Sequence, residues 1–357
     1  MSASPHIVLV GGGTGGHVMS AVSVGEELIQ RNIPFSVITD IRGSSYWPDE
    51  WKKTITSATH IRTRNPLGIL RRLCVLGKSF YESLMYLRRI RPTIVLGFGA
   101  YPTVMPLLAA RILRIPLAIF ELDTCVGAAN KILMTFTRLR MSAYPLEDLG
   151  FKHMGIPVRQ HIEEIGNTPY RLPATNEAFV ITVLGGSQGA SLFSQVIPKA
   201  FGDIKPEIRD HIILIHQAPA SDVLHLQKVY RGLGLQATVE PFVHDMATAY
   251  MRTHIMISRA GAATIGEVIA TTRPTIFVPY ARAAKNHQLK NAQLLEHKNA
   301  AIVIPEMLFI PENLTDYLNK LFYSKEILLQ YSKELRKIRH PGAASRIVTF
   351  LCKHQRG

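Results

Sequence analysis

A chain of 357 residues with 47% hydrophobic and 19% charged residues is long enough for two domains with separate cores and too apolar to be disordered. Lys and Arg outnumber Asp and Glu by 41 to 26, for a formal charge of +15 and a pI near 9.8. That balance favours anionic partners such as phosphorylated substrates or an anionic bilayer surface. Without a nucleic-acid-binding module or zinc spacing in the sequence, nucleic acid is not an expected partner. Cys74, Cys125 and Cys352 show neither metal spacing nor even pairing and read as reduced thiols.

The N-terminus lacks the basic start of a signal peptide, and its apolar run is cut short by glycines. That run, "HIVLVGGGTGGHVMS", predicts a strand, a glycine loop and a helix. Gly11, Gly13 and Gly16 fit GxGxxG, and Asp40 closes the next strand, "FSVITD", where a dinucleotide site carries its ribose-binding acid. A nicotinamide-dependent dehydrogenase is therefore one reading. His17 has no part in it. At a helix start, the positive helix end lowers the pKa of a nearby imidazole, which suits a general base. A cap or packing role for His17 is the plain alternative.

Next comes "RTRNPLGILRRLCVLGKSFYESLMYLRRIRP", in which Leu67, Ile69, Leu70, Leu73, Leu76 and Phe80 mix with Arg71, Arg72, Lys78, Arg88 and Arg89. This is either an amphipathic helix packed inward or an apolar patch ringed by cations for an anionic membrane. "VLGFGAYPT" predicts a strand ending at Gly97 and a second turn through Gly99, Ala100 and Tyr101. Backbone amides there suit a phosphate, and Tyr101 either donates a hydrogen bond or packs. "TVMPLLAARILRIPLAIF" carries Arg111 and Arg114 in its middle and does not read as a membrane span.

Strand-like runs alternate with helical patterns throughout. The first half offers "HIVLV", "FSVIT", "THIRT", "TIVLGF", "LAIFE" and "RMSAY"; the second offers "AFVITVL", "HIILIH", "HIMIS", "PTIFVP" and "AAIVI". Alternation of this kind predicts an α/β protein of two Rossmann-like, doubly wound domains facing across a cleft. A Pro-, Asn- and Thr-rich stretch near 157–176 marks the boundary. In the second half, "LGGSQGAS" and "SRAGAATIGE" each turn from a strand into a helix. Ser187 is a phosphate donor or a cap. Thr264 and Glu267 face a ligand or form a capping box. His287 and Gln288 bond sugar hydroxyls or sit at an ordinary helix start. "EPFVHDMATAY" offers backbone near Val243 to a base edge.

Taken together, "GGGTGGH", "LGFGAYPT", "VGAANK", "GIPVR", "LGGSQGAS", "PFVHDMATAY", "SRAGAATIGE" and "NHQLKNA" resemble the MurG family over nearly the whole chain. This is the peptidoglycan family that moves GlcNAc from UDP-GlcNAc to undecaprenyl-pyrophosphoryl-MurNAc-pentapeptide, lipid I, to form lipid II. The resemblance implies a GT-B fold, with an acceptor and membrane-associating domain at 1–158 and a donor domain at 159–342. The last helix, 343–357, would return to the first domain. Donor contacts are implied at Thr14, Gly15, Gly16, Asn130, Arg159, Ser187, Val243 and Gln288, and from Ala262 through Ala263, Thr264, Ile265 and Gly266 to Glu267, the last on the ribose. Gly13, Thr14, Gly15, Gly99, Ala100 and Tyr101 would hold the acceptor pyrophosphate, with His17 as base. An inverting displacement is implied, with no metal and no cofactor beyond the donor. Asp40 would then be an ordinary strand-end acid. The implied setting is the cytoplasmic face of the inner membrane, peripherally bound, beside other cell-wall and division proteins. A scaffold that binds a UDP-sugar without turnover is the other reading. The chain departs from the family pattern at Ser20 (usually Pro), at Ile156 (usually Asn), and at Phe120-Glu121-Leu122-Asp123, usually His-Glu-Gln-Asn.

Overall fold

The computed structural model describes residues 6–58, 66–174, 177–186, 190–283 and 286–354, the side chains of 66 and 67 excepted. The chain divides into two compact units, 1–160 with 340–357 and 161–339.

In unit 1 the chain runs β1 (Ile7–Val10), α1 (Gly15–Gln30), β2 (Phe35–Thr39), β3 (Lys53–Ile55), α2 (Pro66–Ile90), β4 (Ile94–Gly97) and α3 (Val104–Ile112). It continues through β5 (Leu117–Glu121), α4 (Ala128–Leu133), β6 (Leu139–Ser142) and β7 (Lys152–His153). The strands form one sheet in the order β3-β2-β1-β4-β5-β6-β7, and the pairings are parallel. Every residue of β1, β4 and β5 is buried, which explains why these strands read as continuous apolar runs. The edge strands β3 and β7 are not buried and were not among the expected strands. The expected strand "THIRT" lies outside the described residues.

A short helix, α5 (Gln160–Glu163), leads into unit 2. There follow β8 (Phe179–Leu184), α6 (Ser191–Asp203), α7 (Pro206–Arg209), β9 (Ile212–Gln217), α8 (Val223–Gly232) and β10 (Gln236–Glu240). Then come α9 (Met246–Arg252), β11 (Ile255–Ser258), α10 (Ala262–Thr271), β12 (Thr275–Phe277), α11 (His287–Glu296), β13 (Ile302–Val303), α12 (Pro311–Tyr323) and α13 (Glu326–Ile338). The sheet order is β10-β9-β8-β11-β12-β13, again parallel. The last helix, α14 (Ala343–Lys353), belongs to unit 1. Arg31, just after α1, donates to Thr349 Oγ1 at 2.9 Å and Ser345 Oγ at 2.6 Å on α14.

α2 has 25 residues, about 37 Å of helix, beside strands about 13 Å long. It packs on α3 through its second half, where Ser79, Ser83, Tyr86 and Leu87 are buried. None of 68–78 is buried. The inward-packed reading therefore holds for the second half of the helix only.

Unit 2 carries a pH-dependent element in its core. His216 on β9 is fully buried, 2.7 Å from the Tyr230 phenol, and burial pushes its pKa from 6.5 down to about 4. The unfolded chain takes up a proton below pH 6.5 that the folded one refuses until about 4. Stability is thus lost as pH falls through this window, by about 3 kcal/mol in full. His254, held down to about 4 by burial and then by Arg171 and Arg273, adds to the same slope. The melting temperature is expected to fall from pH 6.5 to 4.5, and His216→Leu to flatten that fall. An unchanged slope in the variant would refute the assignment.

Candidate active site

In unit 1 the strand order reverses between β1 and β4, and in unit 2 between β8 and β11. Loops leaving the carboxyl ends of such strand pairs form the usual ligand crevice of open α/β sheets. The four glycine-bearing segments, 11–16, 97–101, 185–189 and 261–266, follow these four strands.

The first three glycines of unit 1 answer to packing. A Cβ at Gly11 would lie 3.3 Å from Trp47 Cζ2, one at Gly12 would collide with Asp40 Oδ1, and one at Gly13 would lie 3.2 Å from Tyr101 Cε1. Gly13 also has φ +78°. Its amide donates to Asp40 Oδ1 at 2.8 Å, and the Thr14 amide donates to Gly12 O at 3.0 Å. Gly13 and Thr14 thus enter the expected pyrophosphate cradle without their amides. The outward donors by helix geometry are the first-turn amides of α1 from Gly15 onward, and the N-cap residue, Thr14, makes no side-chain cap bond to them.

Asp40 is not an ordinary strand-end acid. It is fully buried, accepts from Gly13 N and, at 3.0 Å, from Gly43 N through Oδ1, and accepts from the Tyr101 hydroxyl at 2.8 Å through Oδ2. Both oxygens are engaged within the fold, so it has no place on a ribose and the dinucleotide reading fails. Tyr101 both packs and donates. Burial and its bond to Asp40 push the phenol up to about 12.

His17 sits in the first turn of α1, with Nδ1 3.0 Å from Thr14 Oγ1. A Cβ at Gly99 would lie 3.7 Å from His17 Cδ2 and 3.3 Å from Asn130 Nδ2. The structure therefore brings Thr14, His17, Gly99 and Asn130 to one place. Gly99 has φ +77° and Ala100 φ +62°, ψ 166°, a backbone conformation that costs a non-glycine residue about 1–3 kcal/mol. The buried Asn130 amide donates to Phe120 O at 3.0 Å and Glu121 Oε2 at 2.9 Å. Its own carbonyl oxygen has no partner among the described residues.

Glu121 also accepts from the amides of Gly127 and Asp123. Burial raises its pKa against the pull of those bonds. Phe120 and Leu122 are buried apolar residues, and the Phe120 ring lies 5.8 Å from Phe98. The departure at 120–123 thus moves two positions into the core. It leaves the carboxylate and the backbone carbonyl to hold Asn130. Arg159 is partly buried near the end of unit 1.

In unit 2, Ser187 lies outside the described residues. Gly186 has φ +84°, with open space where a side chain would stand. Helix α10 begins at Ala262 with Gly261 as N-cap, so Thr264 is its third residue. The capping-box alternative is thereby excluded, because Thr264 lies inside the helix. Ala263, Thr264 and Glu267 are partly exposed, while Ala262, Ile265 and Gly266 are buried. Ile265 is turned inward, and its amide donates to Gly261 O at 2.9 Å, so neither group faces a ligand. Glu267 accepts from the Tyr250 hydroxyl at 2.8 Å.

Val243 is buried in the segment between β10 and α9. Asp245 caps α9 through the Thr248 amide at 2.9 Å. Gln288 Oε1 accepts from Tyr280 N at 2.9 Å. Arg259, not singled out in the sequence, donates to Val278 O and pairs with Glu306 at 2.8 Å. It also lies over the Phe193 and Tyr280 rings. Glu306 accepts from Ala281 N, so this pair braces the segment leading to Gln288.

Residues 7–141 match the glycosyltransferase family 28 N-terminal domain and residues 180–347 its C-terminal domain. A Bradyrhizobium sp. (strain ORS 278) protein is 32% identical, over 99% of each chain. A Rhodospirillum centenum protein is 34% identical, over 90% of this chain and 86% of its own. Both are named UDP-N-acetylglucosamine–N-acetylmuramyl-(pentapeptide) pyrophosphoryl-undecaprenol N-acetylglucosamine transferase. The crystal structure of Acinetobacter baumannii MurG aligns with a TM-score of 0.77 at 25% identity, over 98% of this chain and 99% of its own. A Neisseria meningitidis UDP-GlcNAc 2-epimerase, 12% identical, shares the fold with a TM-score of 0.62 over 98% of this chain and all of its own. The two parallel-sheet units thus form the expected two-domain GT-B fold, and the chain belongs to the MurG family of glycosyltransferases.

Proposed function

We propose that this protein transfers GlcNAc from UDP-GlcNAc to lipid I with inversion, forming lipid II for peptidoglycan synthesis and so serving cell shape and division. The observation that carries this reading is His17 at the start of α1, braced by Thr14 and lying beside Gly99 and Asn130. The base is Nε2, in the tautomer whose Nδ1–H donates to Thr14 Oγ1. It takes the proton of the muramoyl hydroxyl as that oxygen bonds the anomeric carbon. The bond from that carbon to the diphosphate breaks, and UDP leaves with the electron pair. Amides of the first turn of α1 hold the acceptor pyrophosphate. Those of α10, with Ser187 and Arg159, hold the UDP. The donor carries its own leaving group, and amides and Arg159 are assigned to its developing charge, with no further cofactor in this reading. The direct test is transfer of labelled GlcNAc to a soluble lipid I analogue. Transfer supports the reading; UDP-GlcNAc binding without transfer would leave a donor-holding scaffold instead.

We also propose that the exposed half of α2 rests on the anionic cytoplasmic face of the inner membrane. Ile69, Leu70 and Leu73 are 47%, 59% and 60% exposed, and Arg71, Arg72 and Lys78 stand exposed among them. Among the described residues no helix is long and apolar enough to cross a membrane. This surface would bring the enzyme to its lipid-anchored acceptor. The protein is expected to float with anionic liposomes at low salt, and Leu70→Ser/Leu73→Ser to weaken that binding roughly tenfold. No flotation of the parent would rule the surface out.

A further inference from the structure

We infer that Tyr250 is a positioning residue for Glu267, and that the pair selects a ribonucleoside diphosphate over its deoxy counterpart; this rests on the donor site proposed for unit 2. Tyr250 is 1% exposed and stands on α9. Its hydroxyl donates to Glu267 Oε2 at 2.8 Å, across to the partly exposed face of α10. The Tyr250 backbone is itself anchored. Arg273 Nε donates to the Tyr250 carbonyl at 2.7 Å, and the buried Arg273 guanidinium lies 5.6 Å over the Tyr170 ring. The Tyr170 hydroxyl in turn donates to His254 O at 2.9 Å.

A glutamate on a helix surface has three side-chain torsions and many rotamers to lose when it binds. A phenol fixed in the core holds one carboxylate oxygen in place. The side chain then meets a ribose diol in a set geometry. A nucleotide without those hydroxyls would forgo the bonds that a diol makes to the positioned carboxylate.

The test is calorimetric titration of the whole protein with UDP and with 2′,3′-dideoxy-UDP. The parent is expected to prefer UDP by about tenfold or more. Tyr250→Phe, which removes one oxygen and keeps the ring, should cut the preference to about threefold or less, chiefly by weakening UDP. In a Glu267→Ala background the same change should add nothing. In the transfer assay the variant should raise the donor KM and leave the acceptor KM unchanged. An unchanged preference in Tyr250→Phe overturns the inference, as does an equal loss for both nucleotides, which marks general damage to the site. A parent that binds UDP but does not discriminate removes the ribose contact. A parent that binds no UDP removes the donor site itself.

Discussion

His17→Ala is expected to lower kcat for GlcNAc transfer by about 10²–10⁴-fold, with donor affinity and melting temperature close to the parent's. The small structural effect follows from the residue's place. His17 is only partly buried, and the Thr14–His17 bond is on the exposed surface, so its loss costs little. The kinetic effect follows from chemistry. A sugar hydroxyl is a poor nucleophile until a base accepts its proton as the new bond forms. Thr14→Val should lose roughly tenfold in kcat, because the hydroxyl only biases the tautomer. Rates for His17→Ala within a few-fold of the parent would remove the base assignment.

The parts of this site that were legible in the sequence are those built from neighbours in the chain. β1, β4, β8 and β11 are buried throughout, and each ends in a glycine-bearing turn or passes directly into one. A short motif therefore records both strand and loop. β3 and β10 sit at sheet edges with exposed residues, and their short, mixed sequences carry no such pattern. What braces the glycine loops is not local. Asp40 is 27 residues from Gly13 and 61 from Tyr101, and Tyr250 is 17 from Glu267. No spacing rule reports contacts that parallel crossovers create. The motif at Thr264–Glu267 misleads for a related reason. It has the letters of a capping box, but the turn out of β11 places the N-cap at Gly261.

Asp40→Ala should destabilise unit 1 by about 4 kcal/mol and raise the acceptor KM more than the donor KM. The alanine would leave the amides of Gly13 and Gly43 and the Tyr101 hydroxyl without their acceptor, in a place water does not reach. Each unmet donor costs about 1–3 kcal/mol, partly relieved if the loops open. Opening would itself be felt at the base, because Gly13 and His17 share one loop and helix start, and Tyr101 follows Gly99 by two residues. Asp40→Asn separates the two effects. Its carbonyl oxygen still accepts from both amides, but its NH₂ faces a phenol that must turn to accept. A loss of about 1–2 kcal/mol is expected there, with the acceptor KM raised and donor binding intact. Urea unfolding and acceptor titration measure both quantities. If Asp40→Ala unfolds like the parent, the glycine loop is held by the Trp47 and Tyr101 rings alone. The glycines at 11–13 would then answer to steric packing without the buried carboxylate, and the cradle beside His17 would owe its shape to aromatic walls.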